Sequence, residues 1–433
     1  MLPGGNASLV VPRATGPVIG DLHPPGSKSL TQRWLLLAAL AEGESTIENA
    51  LRSDDVEALT QGLRTLGARI RWAGADTLVV QGVGGRFPGG GALDGREGGT
   101  PARFLMAAAC MATKPSTLDG SSRLRKRPMQ DGAELLAAIG AKVARTGTDE
   151  LPLSITPADA FVRGGVVTID RPASSQFLSA VALIAPWMKR GLQVQVRGGM
   201  PSDSYVELTV QCLVSRGVRA TWDSVAGVLQ VSPGALQAFR VRVEPDASSA
   251  SYGFALAAVI PGSCVRVPGL LATSAQPDVA VAKALAGLGA HMHAEADGLS
   301  VRFGGALHGG SIDAERWPDG SLAVMAAAAT SIEPIEIRGL ATLAQKESDR
   351  IETMRAWLVD LGVRVERGED WVRMQGPPRT GATAMVATQR DHRIAMSAAV
   401  LGALHGGVQV DDPGCVAKSW PDFWSSWAKL LGP

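Results

Sequence analysis

The chain has 433 residues, of which 45% are apolar and 19% charged, and its formal net charge is +1. That length favours two or three domains, each able to bury its own core. The balanced charge excludes a general basic field for nucleic acid or an anionic membrane, so any strongly positive site must be local.

The opening stretch, MLPGGNASLVVPRATGPV, has no long apolar run and reads as neither signal peptide nor anchor. No apolar run elsewhere reaches membrane-spanning length. Cys110, Cys212, Cys264 and Cys415 are far apart, with no CxxC pair, and read as buried free thiols rather than a disulfide framework or a metal site. A cytoplasmic, soluble protein is the expectation.

The first strong element is PPGSKSLTQR, Pro24 to Arg33, at the mouth of the apolar run WLLLAALA. Pro-Pro-Gly sets a turn and Ser27 or Ser29 can cap the helix. Lys28 and Arg33 then lie near a helix end that already carries partial positive charge, an unfavourable place for cations unless an anion is expected.

The same kind of segment recurs. GTPARFLMAAACMAT, SSQFLSAVALIAPWM, SSASYGFALAAVIPG, DGSLAVMAAAATSIE and DHRIAMSAAVLGALHG each begin with small polar or charged residues and continue as a small-residue apolar helix. Anchored at Ser27, Gly99, Ser174, Ser248, Asp319 and Asp391, the repeat has a period of roughly 73 residues. In phase with it run LRTLGARIRW, LAAIGAKVAR, LVSRGVRATW, LAGLGAHMHA and LVDLGVRVER, where a helix ends in glycine and an alternating strand follows. A further strand, such as STIENAL or LQVQVRGG, lies between the two segment types. The unit reads strand–helix–strand–helix–strand–strand, and six copies suggest two lobes of three. The lone strand GPVIGDL and the late VRVEPDASS mark two chain crossings. If the six polar helix starts converge on one cleft, it is a favourable place for anions.

Chemistry-bearing residues sit at the same place in the repeat. Gly98 and Gly99 permit close backbone approach to a ligand. SSRLRKRPMQD carries Arg123, Arg125, Lys126 and Arg127 before Pro128 starts a helix. Ser174, Ser175, Gln176, Ser202 and Tyr205 are neutral donors and acceptors suited to hydroxyls and to orienting a phosphate, or simply to capping. Lys346, Glu347 and Arg350 are placed at i, i+1 and i+4 of one predicted helix, with Lys346 facing Arg350. Arg393 and Lys418 complete the set. Asp319 and Glu347, two carboxylates among cations, are candidate proton carriers. The whole points to a small, multiply anionic substrate or pair of substrates.

PGSKSLTQR, GGTPARF, RLRKRPM, SSQF, SDSY, WPD, KESDRI, DHRIAM and CVAKSWPDF resemble the 5-enolpyruvylshikimate-3-phosphate synthase family, over nearly the whole chain. The resemblance implies an α/β (α+β) class and the two-lobed enolpyruvyl-transferase fold of six repeated βαβαββ units. Three units fall in each lobe, with the active site in the interlobe cleft. The first lobe is expected to comprise 1–26 with 244–433, and the second 27–243. It implies transfer of the enolpyruvyl group of phosphoenolpyruvate to the 5-hydroxyl of shikimate 3-phosphate, with release of phosphate, on the pathway to chorismate and the aromatic amino acids. No metal, no cofactor, no nucleic acid and no membrane are implied, and the protein is expected to be a monomer.

By the same resemblance, Lys28, Ser29, Arg33, Ser174, Ser175, Gln176, Ser202, Tyr205, Asp319, Thr342 and Lys346 contact shikimate 3-phosphate. Lys28, Gly99, Arg127, Gln176, Arg350, Arg393 and Lys418 contact phosphoenolpyruvate. Asp319 takes the 5-hydroxyl proton and Glu347 protonates the methylene carbon, with Lys28 beside the reacting groups. The residue types suit the chemistry, because addition to the enol needs one proton delivered to carbon and one taken from oxygen. Preorganised cations stabilise the charge of two phosphate esters and a carboxylate.

The chain departs from the family pattern at Glu97, Pro101 and Thr342. Glu97 beside Gly98 would repel an anion unless it pairs with Arg96 or Arg103, or holds a cation such as Lys28 or Arg127; pairing with Arg96 or Arg103 is expected. The sister transferase that acts on a UDP-amino sugar carries a reactive Cys in the loop matching SSRLRKRPM, and none is present here. An idle binding protein would need neither Asp319 nor Glu347. An RNA-end cyclase shares the unit, but the near-neutral charge and the missing nucleotide-linked His motif count against it.

Overall fold

In a computed structural model, which describes residues 8–158 and 162–432, each of the six polar starts opens a helix. The first seven residues, within the stretch read above as neither leader nor anchor, lie outside the described residues. The helices are α1 (Lys28–Leu40), α2 (Gly99–Cys110), α3 (Ser175–Ile184), α4 (Ala247–Val259), α5 (Ser321–Ala328) and α6 (His392–His405). They are buried almost all round: 11 of the 13 residues of α1 are buried, and every residue of α5 is. Runs of Ala with a few large residues explain this, because small side chains let helices approach from several sides without leaving polar surface inside. The α1, α2 and α3 helices pack together, and so do α4, α5 and α6.

The second helix of each repeat has one buried face and ends at glycine. Gly67, Gly140, Gly217, Gly289 and Gly362 all adopt positive φ, between 81° and 114°. That left-handed conformation closes a helix and is strained for any residue with a Cβ, which is why glycine recurs there.

Each repeat closes a small mixed sheet. Gly91–Asp94 pairs in parallel with Ser116–Asp119, and α2 forms the crossover between them. Ser116–Asp119 then pairs antiparallel with Leu153–Thr156, which carries Lys142–Arg145 at its outer edge. Gly165–Asp170 and Gly310–Asp313 open sheets of the same order. Two sheets take their first strand from a distant part of the chain. Ile19–Asp21 lies parallel to Cys264–Pro268, and Arg240–Arg242 lies parallel to Glu44–Glu48. These are the two predicted crossings. The sixth sheet lacks its own final pair of strands: Ala384–Val386 and Val408–Val410 are joined instead by Leu9–Val10.

The chain divides into two compact units. One runs from the N-terminal segment to Pro25 and resumes at Glu244; the other is Gly26–Val243. The first is closed by the helix Phe423–Leu431, where Trp420, Phe423 and Trp424 meet edge to face.

Three local expectations are corrected. Lys346, Glu347 and Arg350 do not share a helix: Lys346 is extended at the end of the turn Ala341–Gln345, and the next helix begins at Arg350. Asp349 sets that start by accepting the Glu352 N–H at 3.1 Å. Pro128 does not start a helix; the helix begins at Gln130, and Arg123 and Arg125 lie in a separate short turn, Ser122–Arg125. Of the four free thiols, Cys110 and Cys212 are buried, whereas Cys264 and Cys415 are only partly so.

Gly26–Val243 is contiguous and closes its own three sheets, so this segment expressed alone is expected to unfold cooperatively. A non-cooperative thermal transition monitored by circular dichroism would contradict its independence.

Candidate active site

In the unit formed by the N-terminal segment and the residues from Glu244, a network of charges gathers at the starts of α5, α6 and the helix that begins at Arg350. Asp319, just ahead of α5, is met by Arg350 Nη1 at 2.9 Å, Lys346 Nζ at 3.3 Å and Arg393 Nη2 at 3.3 Å. Glu347 is met by Arg350 Nη2 at 2.8 Å and Lys418 Nζ at 3.1 Å. Arg350 also donates from Nε to Asp391 at 2.8 Å, and its side chain is only 1% exposed. Asp391 caps α6 by accepting the Arg393 N–H at 3.0 Å and takes a further bond from Ser348 Oγ.

This arrangement explains why so many charges tolerate burial. Burial alone would raise the Asp319 carboxyl, but Lys346, Arg393 and Arg350 hold it well below the usual carboxylate range, against the opposing push of Glu347. Burial would lower the Arg350 guanidinium, yet Asp391, Glu347 and Asp319 keep it above its ordinary value. Asp319 and Glu347 remain partly accessible, with side chains 20% and 14% exposed, so a ligand can reach them.

The unit Gly26–Val243 is built differently. Ser27 caps α1, and Lys28 pairs with Asp55 at 3.0 Å. Arg33 is buried and bonded to neutral acceptors: Thr209 Oγ1 at 2.8 Å, the Ser29 carbonyl at 2.9 Å, the Tyr205 carbonyl at 2.9 Å and Ser179 Oγ at 3.2 Å. Burial lowers it to about 10. Gly99 opens α2 directly against Arg127, where a Cβ would stand 2.8 Å from the guanidinium. Ser174 caps α3 through the Gln176 N–H, and Ser202 holds a positive φ of 57° in the turn before Tyr205.

Sequence reasoning thus finds residues that the structure gathers in two sets, one in each unit. Asp319, Lys346, Glu347, Arg350, Arg393 and Lys418 form one network, with Thr342 nearby in sequence and its Oγ1 buried without a hydrogen-bond partner. Lys28, Ser29, Arg33, Gly99, Arg127, Ser174, Ser175, Gln176, Ser202 and Tyr205 line the helix starts of the other unit. It misses Asp391, whose signal was a carboxylate at a repeat anchor, and Asp55, which neutralises Lys28. It also misses the role of Arg103. That guanidinium, 3% exposed, donates to Gln176 Oε1 at 2.6 Å, Ser174 Oγ at 3.3 Å and the Pro128 carbonyl at 3.1 Å. Arg103 therefore links α2, α3 and the Arg127 loop, and burial and Arg127 lower it well below its ordinary value. Arg96 Nη1 lies 3.8 Å from Asp54. Among the described residues no group of three His, Cys, Asp or Glu side chains could hold a metal ion.

Residues 12–427 match the family described as EPSP synthase (3-phosphoshikimate 1-carboxyvinyltransferase). The chain is 35% identical over 425 residues to the 3-phosphoshikimate 1-carboxyvinyltransferase of Shewanella amazonensis, covering 96% of this chain and 97% of that one. It is 37% identical over 415 residues to the enzyme of the same name from Methanoculleus marisnigri, covering 95% and 97%. Among solved structures, the EPSP synthase of Acinetobacter baumannii is similar at a TM-score of 0.80 with 25% identity, covering 98% of each chain.

Removing the Arg350 charge leaves the fully buried Asp391 without its hydrogen-bonded cation. Arg350→Met is expected to destabilise its unit by about 3–5 kcal/mol in denaturant unfolding, and adding Asp391→Asn to recover part of that loss. An unchanged midpoint for the single variant would contradict the role given to this pair.

Proposed function

The chain belongs to the EPSP synthase family, and we propose that the two residue sets described above are its substrate-binding and acid–base groups. It transfers the enolpyruvyl group of phosphoenolpyruvate to the 5-hydroxyl of shikimate 3-phosphate, giving 5-enolpyruvylshikimate 3-phosphate and phosphate in the shikimate pathway. Lys28, Ser29, Arg33, Ser174, Ser175, Gln176, Ser202 and Tyr205, with Asp319, Thr342 and Lys346, take shikimate 3-phosphate. Lys28, Gly99, Arg127, Gln176, Arg350, Arg393 and Lys418 take phosphoenolpyruvate.

The observation that carries the reading is Asp319 against three cations. Arg350 and Arg393, with Lys346, neutralise Asp319, and Arg350 and Lys418 neutralise Glu347. A bound phosphoenolpyruvate anion competes for the same cations. Withdrawing positive charge from a carboxylate raises its affinity for a proton. Asp319 then accepts the 5-hydroxyl proton as the oxygen bonds to the enol carbon, while Glu347 delivers a proton to the methylene carbon. The tetrahedral adduct then loses phosphate as the methyl proton returns to Glu347, which re-forms the double bond as the enol ether of the product. Fixed cations stabilise the charge throughout without reorganising.

The protein is further proposed to be a cytoplasmic monomer. Four free thiols suit a reducing compartment, and among the described residues no helix is long and apolar enough to cross a membrane. Light scattering on the eluted protein tests the monomer.

Phosphate release from phosphoenolpyruvate is expected only when shikimate 3-phosphate is also present. Asp319→Ala should still bind both substrates in calorimetry yet lose turnover by roughly a hundredfold or more, as for a positioned acid–base group. Near-wild-type turnover would remove it from the mechanism. Gly99→Ala, which forces the Arg127 guanidinium away, should raise the KM for phosphoenolpyruvate roughly tenfold with a smaller effect on kcat.

A further inference from the structure

Beside Asp319 lies a carboxylate that the reaction as described leaves unused. Asp278 sits in the turn Pro277–Val279 and is 2% exposed. Its Oδ1 accepts the Gly320 N–H at 3.1 Å, and its Oδ2 accepts the Ser248 hydroxyl. Gly320 directly follows Asp319 and caps α5, so Asp278 grips the peptide that carries the proposed base. The fit is close: a Cβ at Gly320 would stand 3.0 Å from Asp278 Oδ1 and 2.5 Å from Val281 Cγ2.

The same turn is tied to the start of α4. Gln276 accepts the Ala247 N–H at 3.0 Å and donates to the Pro245 carbonyl at 2.8 Å. Ser248, which bonds Asp278, stands in the first turn of α4. The charged groups facing Asp278 are Arg393 from α6, Asp319 from the start of α5, and Asp246, the cap of α4. Burial pushes Asp278 up to about 7; Arg393 works against this, and Asp319 and Asp246 add to it. A neutral amide could accept the Gly320 N–H equally well, so hydrogen bonding alone does not account for a carboxylate buried beside another.

We propose that Asp278 is a positioning residue for Asp319, fixing the Asp319–Gly320 peptide and, through its own charge, strengthening Asp319 as a proton acceptor. Like charges disfavour joint ionisation, so above about pH 7, where Asp278 is ionised, it raises the proton affinity of Asp319, and the two titrate as a pair. The inference rests on Asp319 being the proton acceptor.

Asp278→Asn keeps an acceptor for Gly320 and removes the charge. The expected result is a kcat lower by about tenfold, KM values for both substrates within about threefold, and an acid limb of the kcat–pH profile displaced to lower pH. An unchanged kcat overturns the proposal, and so does a fall in kcat with the limb in place, since that is a merely structural effect. Gly320→Ala, which displaces the gripped peptide while keeping the Asp278 charge, is the second variant. It is expected to lower kcat by about tenfold or more with KM nearly constant, and wild-type kcat in this folded variant also overturns the proposal. Asp319→Asn measured alongside separates the two readings: substantial turnover there sinks the assignment of the base, whatever Asp278 does.

Discussion

The buried guanidinium of Arg350 is the constraint on which one half of the site depends. A charge so withdrawn from water persists only if it is paired and hydrogen-bonded on all sides. Arg350 meets that demand with Asp319, Glu347 and Asp391, which come from the start of α5, the segment before its own helix, and the cap of α6. Satisfying one cation therefore fixes the relative placement of three chain segments. The two carboxylates left partly open are those proposed to move protons, and the fully buried one, Asp391, serves the framework. Binding and acid–base chemistry are thus coupled by electrostatics, because any anion that draws on Arg350 alters the carboxylates it holds.

The unit Gly26–Val243 solves the same problem with neutral partners. Arg33 and Arg103 are buried among hydroxyls, an amide and carbonyl oxygens, and both are lowered by burial. Among the described residues no carboxylate hydrogen-bonds to either guanidinium, and only Asp131 acts on Arg103 from nearby. That suits a phosphate ester, whose charge is permanent and whose oxygens need donors more than proton acceptors. The first unit keeps carboxylates among its cations, as the proposed proton exchange requires. The two units share one repeated architecture and differ in what compensates the buried cations.

The architecture makes both solutions possible. Helices of small residues pack three together, and their polar ends then lie at one end of each unit. Glycines with positive φ end the second helices and return the chain to the sheet. Two borrowed strands and the N-terminal strand complete sheets that the local chain leaves short.

Much of this was determined by the sequence alone. The repeat, the helix-ending glycines, the two crossing strands and the cationic helix starts are all local or periodic signals, because a helix face, a left-handed turn and an alternating strand are each set by residues close in the chain. What the sequence did not determine is pairing. Lys346 and Arg350 read as like charges on one helix face, yet Asp349 starts the helix later and both cations turn to Asp319. Arg103 read only as one of two cations near Glu97, and its burial against Gln176, Ser174 and the Pro128 carbonyl had no signal in the sequence. Asp278 carried no distinguishing local signal, and Asp391 only its place at a repeat anchor. Their partners lie some forty residues away or more, at Gly320 and at Arg350, and only the tertiary structure decided those contacts. The reason is physical: a charge pairs with whatever the packed helices bring within about 3 Å of it, and that depends on the whole core rather than on neighbours in the chain.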